Sequence, residues 1–266
     1  MSGKRRRKLF ESIYRGDGRR IRKLLERGVS PHARDEKGST ALYVAAVQGE
    51  AWPVGELLAA GASPNVESRG TADGTPLCGA ASWGHTAVLR ALLAAGADPG
   101  MPESDGFTAL AWAIRGGSYD AVALLIDAGA DPNQSDSQGR TPLLLAAEQG
   151  RLALVRLLLE HGADASIADT DGRTARDAAL AGAAKDIEPE LRADAVQHAP
   201  AGSIVETRHT ICVHVTYPDG GSHSSVELEC SHQQIAALLA GPAEASAARP
   251  LPRRGRPRPS GVSPRA

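Results

Sequence analysis

Large rings are scarce in this chain: three Trp, four Tyr and two Phe make up 3% of its 266 residues. A core built around aromatics is therefore excluded. Ala, Leu and Val must supply most of the apolar volume, and such small side chains suit short, closely packed helices. Cysteine is equally sparse. Cys78, Cys212 and Cys230 form an odd and scattered set, which excludes a disulfide framework and points to a reducing compartment, the cytoplasm. No apolar run approaches the length needed to span a bilayer. The basic run KRRRK at residues 4–8 is followed by LFESIY and not by an apolar stretch, so it does not read as a secretory signal. What remains, 42% hydrophobic and 23% charged residues, is ordinary for a globular protein.

Charge of one sign is missing in places. Residues 249–266 carry six Arg and no acid, residues 1–30 carry eleven Lys/Arg against three acids, and the net charge is nevertheless −1. Two basic ends thus flank an acidic body.

What is abundant is repetition. The phrase GRTPLLLAAEQGRLALVRLLLEHGADA at residues 139–165 holds no paired acid and base, no nucleophile beside a histidine and no phosphate-cradling glycine run. It recurs. A Thr followed two residues later by an apolar residue stands at Thr40, Thr75, Thr108 and Thr141, and the last copy, Thr174, is followed by Arg176. Successive steps are 35, 33, 33 and 33 residues. A second series, Gly28, Gly61, Gly96, Gly129 and Gly162, shows the same steps with one insertion of two residues between positions 62 and 74. A fixed period of this length marks stacked units. Within a unit, Thr141 is a good N-cap and Pro142 fits the first helical position. Leu143, Leu144, Ala146 and Ala147 give a helix of about two turns that Gly150 ends, and Leu154, Val155, Leu157 and Leu158 form a second helix closed by Gly162. Helices this short are marginal alone, so stability must come from stacking.

The motifs DGTPLCGAASWGH at residues 73–85 and LLAAGADP at residues 92–99, with the parallel DGFTAL and LLIDAGADPN, resemble ankyrin repeats. The resemblance implies an all-α solenoid of helix-turn-helix units joined by β-hairpin-like fingers, whose first helices and fingers line a concave groove that binds another protein. It implies a basic arm at 1–7 and an ankyrin domain at 8–194: an N-cap unit about 8–34, repeats about 35–67, 68–102, 103–135 and 136–168, and a C-cap about 169–194. Where the family has the His of TPLH, the four full units of this chain have Tyr43, Cys78, Ala111 and Leu144, so the hydrogen bonds of that histidine are expected to be missing. Arg19, Arg20, Arg22 and Lys23 give the first unit a polar outer face. Glu188, Pro189 and Glu190 stand where the last unit would be apolar, as in a C-terminal cap.

By the same resemblance, the exposed groove positions are Tyr14, Arg15, Val47, Gln48, Trp83, Trp112, Arg115, Glu148 and Gln149, with Phe107 and Arg140 on fingers. Two of the three tryptophans fall there, and Trp and Arg dominate binding hot spots. The competing reading is that Trp112 fills a gap between units. The expected function is non-catalytic: a scaffold, adaptor or inhibitor holding a protein partner, as a monomer and without a cofactor.

Past the stack, residues 204–217 alternate apolar and polar and read as a strand, PDGG at 218–221 as a turn, and 222–230 as a returning strand. Ser231 with Gln234 forms a capping box for a helix reading QQIAALLA. A β-hairpin plus helix at 203–241 leaves open docking on the last repeat or pairing with a second chain. The hairpin puts Cys212, His214, His223 and Glu227 on one face. Imidazole and thiolate suit zinc, but the spacing matches no zinc signature, and the expectation is a solvated polar face with no metal. Asp169 and Asp171 suggest a calcium loop but lack its closing acid. The Ala/Pro/Arg-rich tail, 242–266, reads as disordered. The basic ends offer phosphate contacts to nucleic acid or an anionic membrane, weighed against a merely solvated charge run.

Overall fold

The computed structural model describes residues 3–69, 74–186, 204–207, 210–215, 224–228 and 231–240. Short helices come in antiparallel pairs: α1 (Gly3–Tyr14) with α2 (Gly18–Glu26), α3 (Ala41–Gln48) with α4 (Ala51–Ala59), α5 (Pro76–Ser82) with α6 (Thr86–Ala94), α7 (Ala109–Gly116) with α8 (Tyr119–Asp127), and α9 (Pro142–Glu148) with α10 (Leu152–Glu160). Then follow α11 (Ala175–Asp186), three strands, β1 (Ile204–Thr207), β2 (Thr210–Val215) and β3 (Ser224–Leu228), and α12 (Ser231–Leu238). The first helices of successive pairs stack in one row, α1, α3, α5, α7, α9 and α11, and the second helices in another.

From α3 onward, each first helix starts on a threonine hydroxyl. The Oγ atoms of Thr40, Thr75, Thr108 and Thr141 accept from the N–H groups of Tyr43, Cys78, Ala111 and Leu144 at 3.1 to 3.3 Å, satisfying a donor the helix cannot. Thr174 does more: its hydroxyl accepts from the Asp177 N–H, whose carboxylate accepts from the Thr174 N–H at 2.9 Å, a reciprocal cap.

Alanines let the rows approach. Ala45, Ala46, Ala80, Ala81, Ala113, Ala146 and Ala147 are fully buried, and Leu42, Leu77, Leu110 and Leu143 fill between them. In the second row, Val54, Leu57, Val88, Leu89, Leu92, Val122, Leu125, Val155 and Leu158 show no exposed surface. Each such side chain contributes about 1.5–3 kcal/mol.

Two expectations change at the N-terminal end. Residues 4–8 do not precede the stack as an arm; they stand in the opening turns of α1, with Arg7 ion-paired to Glu11 at 3.2 Å. Nor is the basic face of α2 wholly turned to solvent. Arg22 forms a two-pronged pair with Glu56 of α4 and lies 5.4 Å over the Trp52 ring. The indole occupies the space a side chain at Gly18 would need, so the first unit is tied to the second by aromatic and ionic contacts that hydrophobic patterning does not reveal.

Between 204 and 217 the alternation reads as one strand, yet the chain reverses between Thr207 and Thr210, and β1 pairs antiparallel with β2. Period-two alternation is unchanged across such a reversal, which hides it. The sheet order is β1-β2-β3, with Cys212 opposite Glu227 and His214 opposite Ser225. His223, the PDGG turn, residues 188–190 and the tail at 242–266 lie outside the described residues. Helix α12 packs on α11 and touches α10 and α9.

Candidate protein-binding groove

The fingers are built on one polar position per unit, acidic in all but the second. Asp136 shows the rule: one carboxylate oxygen accepts from the N–H groups of Gln138 and Arg140, both at 2.9 Å, and the other pairs with the Arg140 guanidinium at 2.7 Å. Asp169 repeats this with Asp171 and Arg173, and Asp35 holds Lys37 and Ser39 in the same way. In the second and third fingers the position carries Ser68 and Glu103. These side chains reach back to the preceding unit: Thr40 N–H donates to Ser68 Oγ at 3.0 Å and Thr75 N–H to Glu103 Oε1 at 3.2 Å.

Glu103 is the hinge of the central groove. Its second oxygen accepts from Trp112 Nε1 at 2.8 Å. Cys78 occupies the position of the TPLH histidine and is buried. Burial pushes the Cys78 thiol well above its usual range, and the neighbouring charge of Glu103 adds to the effect. A thiol held protonated is no nucleophile.

Burial also raises the Glu103 carboxyl above its ordinary range, against the bonds from Trp112 and Thr75 that favour its charged form. A carboxyl whose pKa is higher in the fold than in the unfolded chain binds more protons when folded. Its contribution to stability is present below the ordinary glutamate range and is lost as pH rises through the raised one. Asp169 and Asp177, shifted down chiefly by hydrogen bonds from the Arg173 backbone and the Thr174 hydroxyl respectively, act with the opposite sign at lower pH. Thermal melts across the interval between the ordinary and raised glutamate ranges are expected to show stability declining with pH, and Glu103→Gln to remove that decline.

Around this carboxylate sits an aromatic and cationic cluster. The Phe107 and Trp112 rings lie 5.3 Å apart, tilted by 43°. The Arg115 guanidinium is 5.3 Å from the Phe107 centroid and 5.1 Å from that of Trp112, and Arg140 is 5.5 Å over Phe107. Phe107 and Trp112 were both expected on the exposed surface. Phe107 is instead 7% exposed beneath the arginines, and Trp112 is half-buried with its N–H engaged by Glu103. They support the groove and do not form its outer surface. Of the rings expected in the groove, Trp83, at 69%, and Tyr14, at 59%, are the exposed ones. Arg115 is exposed and forms no salt bridge among the described residues, whereas Arg140 is neutralised by Asp136.

The other expected residues lie to either side. Tyr14 and Gln48 line a cleft of about 310 Å³ with Lys37, Tyr43 and Val47, and Arg15 is exposed at the end of α1. Glu148 is exposed and Gln149 half-buried at the end of α9. Glu103, Cys78 and Tyr43 escape the sequence reading of the site. The first had a readable signal, because it stands seven residues after Gly96, as Asp136 stands after Gly129.

The sequence pattern of ankyrin repeats in three copies matches residues 9–102, 53–136, 95–169 and 128–188, which together span 9 to 188. The chain belongs to the ankyrin-repeat family. An ankyrin repeat domain of Acinetobacter baumannii AYE superposes with a TM-score of 0.61 at 33% identity, covering 68% of this chain and 93% of that one. The mouse inactive serine/threonine-protein kinase TEX14 is 34% identical over 109 residues, 41% of this chain and 7% of the kinase. The L-asparaginase of Dirofilaria immitis is 38% identical over 95 residues, 36% of this chain and 16% of that enzyme. This chain therefore spans only a small part of the curated relatives it matches. Ankyrin repeats mediate protein–protein interactions, and the family is typically non-catalytic. Among the described residues no helix of this ankyrin-repeat chain is long and apolar enough to cross a membrane, and no three His, Cys, Asp or Glu are grouped to hold a metal.

Proposed function

We propose that the chain is a non-catalytic adaptor or inhibitor that holds one partner protein across its concave face, with Trp83 and Arg115 as principal contacts. The carrying observation is their pairing on adjacent first helices: an indole 69% exposed beside a guanidinium that is seated on two rings and has no acidic partner among the described residues. The rings fix Arg115 before binding, so little side-chain entropy is lost on association. A partner fitting this surface offers a carboxylate to Arg115 and an apolar side chain to Trp83. Tyr14, Arg15 and Gln48 extend the contact at one end, Glu148 and Gln149 at the other. The cytoplasm is the proposed location, in keeping with three scattered cysteines.

An inactive kinase and an asparaginase share stretches with this chain. The matched stretches are only 7% and 16% of those two proteins, so neither name assigns a reaction to this chain, and its ankyrin pattern favours recognition over catalysis. The test is affinity capture from native lysate with the intact protein and with a Trp83→Ala, Arg115→Ala double variant of unchanged circular dichroism. Capture retained by the intact chain and reduced at least tenfold in the variant is the expected result. Equal capture by both would remove the groove as the binding site.

A further inference from the structure

We infer that α12 is the second helix of the sixth ankyrin unit, whose first helix is α11, and that residues 187–230, with their three-stranded sheet, are an insertion inside that unit. The fold contains a ruler by which this can be judged. Gly49, Gly84, Gly117 and Gly150 each stand nine residues after a capping threonine. A Cβ at Gly49 would meet the His85 ring at 2.5 Å, one at Gly84 the Ser118 side chain at 2.8 Å, and one at Gly117 the Arg151 guanidinium at 2.5 Å. In every case the facing residue opens the second helix of the next unit. A Cβ at Gly150 would meet the His232 ring at 2.5 Å, so His232 stands where the next such residue belongs.

The hydrogen bonding agrees. His85 Nε2 lies 3.1 Å from the Val47 carbonyl oxygen and His232 Nε2 lies 3.2 Å from that of Glu148. Val47 and Glu148 are the same position in their units, two residues before the glycine. Three and four residues on, Ile235 and Ala236 are buried as Val88 and Leu89 are. Helix α12 lies on α11 beside α10 just as α10 lies on α9 beside α8. Along the chain, however, His232 follows Arg151 by 81 residues, 48 more than the period.

Sequence explains where the unit opens. The residue nine after Thr174 is Ala183, not glycine. Without the left-handed residue that turns the other units, α11 runs for 12 residues to Asp186, against seven or eight in α3, α5, α7 and α9. Gly182 then leaves the room that the His232 imidazole fills. A helix of eight residues is marginal by itself, so any protection of α12 must come from this docking.

Hydrogen exchange on the full chain tests the assignment. Ile235→Asp is expected to lower protection at least tenfold in α12 and also in α11 and the start of α10. His232→Ala is expected to give a smaller loss at the same amides. In a second variant, a single glycine replaces residues 183–231 and links Gly182 to His232; its α12 is expected to keep the protection seen in the full chain. Loss of α12 protection on this excision would show that the helix depends on the sheet and overturn the assignment. So would Ile235→Asp leaving α10 and α11 unchanged, or light scattering showing a dimer in which α12 docks on a second copy.

Discussion

Phe107→Ala is expected to lower the stability of the chain by about 3 kcal/mol, the usual cost of emptying a buried phenyl site. The ring is 7% exposed, packs against Trp112 and carries two guanidiniums. Removing it leaves Arg115 and Arg140 over a void. Equilibrium urea unfolding monitored by circular dichroism reads the loss. Phe107→Arg is expected to cost clearly less despite inserting a charge. Arg140 and Arg173 occupy the same position in the next two fingers, each paired with an acid four residues earlier, and Glu103 offers that acid here. The arginine variant draws Glu103 away from Trp112, so its partner affinity is expected to fall even where its stability holds. Equal destabilisation by both substitutions would show that the site demands a ring and that the repeat pattern does not supply an alternative.

The comparison shows which features a single sequence exposes. Threonine caps, closing glycines and the Leu/Ala faces are local or strictly periodic, and each of the four full units repeats them; a stack of repeats was legible from spacing, and its ankyrin form from the resemblance carried by DGTPLCGAASWGH and LLAAGADP. The groove was legible as a row of positions but not as a set of exposures. Nothing in the residues 105–115 says that Phe107 turns inward while Trp83 stays out, because this depends on Glu103 reaching across to the preceding unit. Helix α12 was legible as a helix, through its capping box and apolar spacing, but not as a member of the stack. A period search fails once 48 residues intervene, and only the approach of His232 to Gly150 and Glu148 restores the register. The Arg22, Trp52 and Glu56 tie was missed for the related reason that it crosses between units on their outer face.

Gly116→Ala is expected to destabilise the chain by about 2–3 kcal/mol, although alanine is the better helix former by up to about 1 kcal/mol. The two effects oppose each other, and geometry decides. A Cβ at Gly116 would stand 2.5 Å from the Ser82 carbonyl oxygen and 3.3 Å from its carbon. Backbone cannot rotate aside as a side chain can, so α7 must move off α5. Gly79→Ala provides the control. There the added carbon meets the Val47 and Tyr43 side chains at 2.9 and 3.1 Å, which can yield, and a loss of less than about 1.5 kcal/mol is expected. Gly116 is also the position in α7 that Trp83 holds at the end of α5, each eight residues after its threonine. Separating the two helices therefore changes the spacing between Trp83 and Arg115. The Gly116→Ala chain, measured at a temperature where it remains folded, is expected to bind partner at least tenfold more weakly, while Gly79→Ala binds as the unaltered protein does. If Gly116→Ala were neutral in urea unfolding, the close approach of α7 to α5 would be absent in solution, and the rigid spacing that makes Trp83 and Arg115 one surface would go with it.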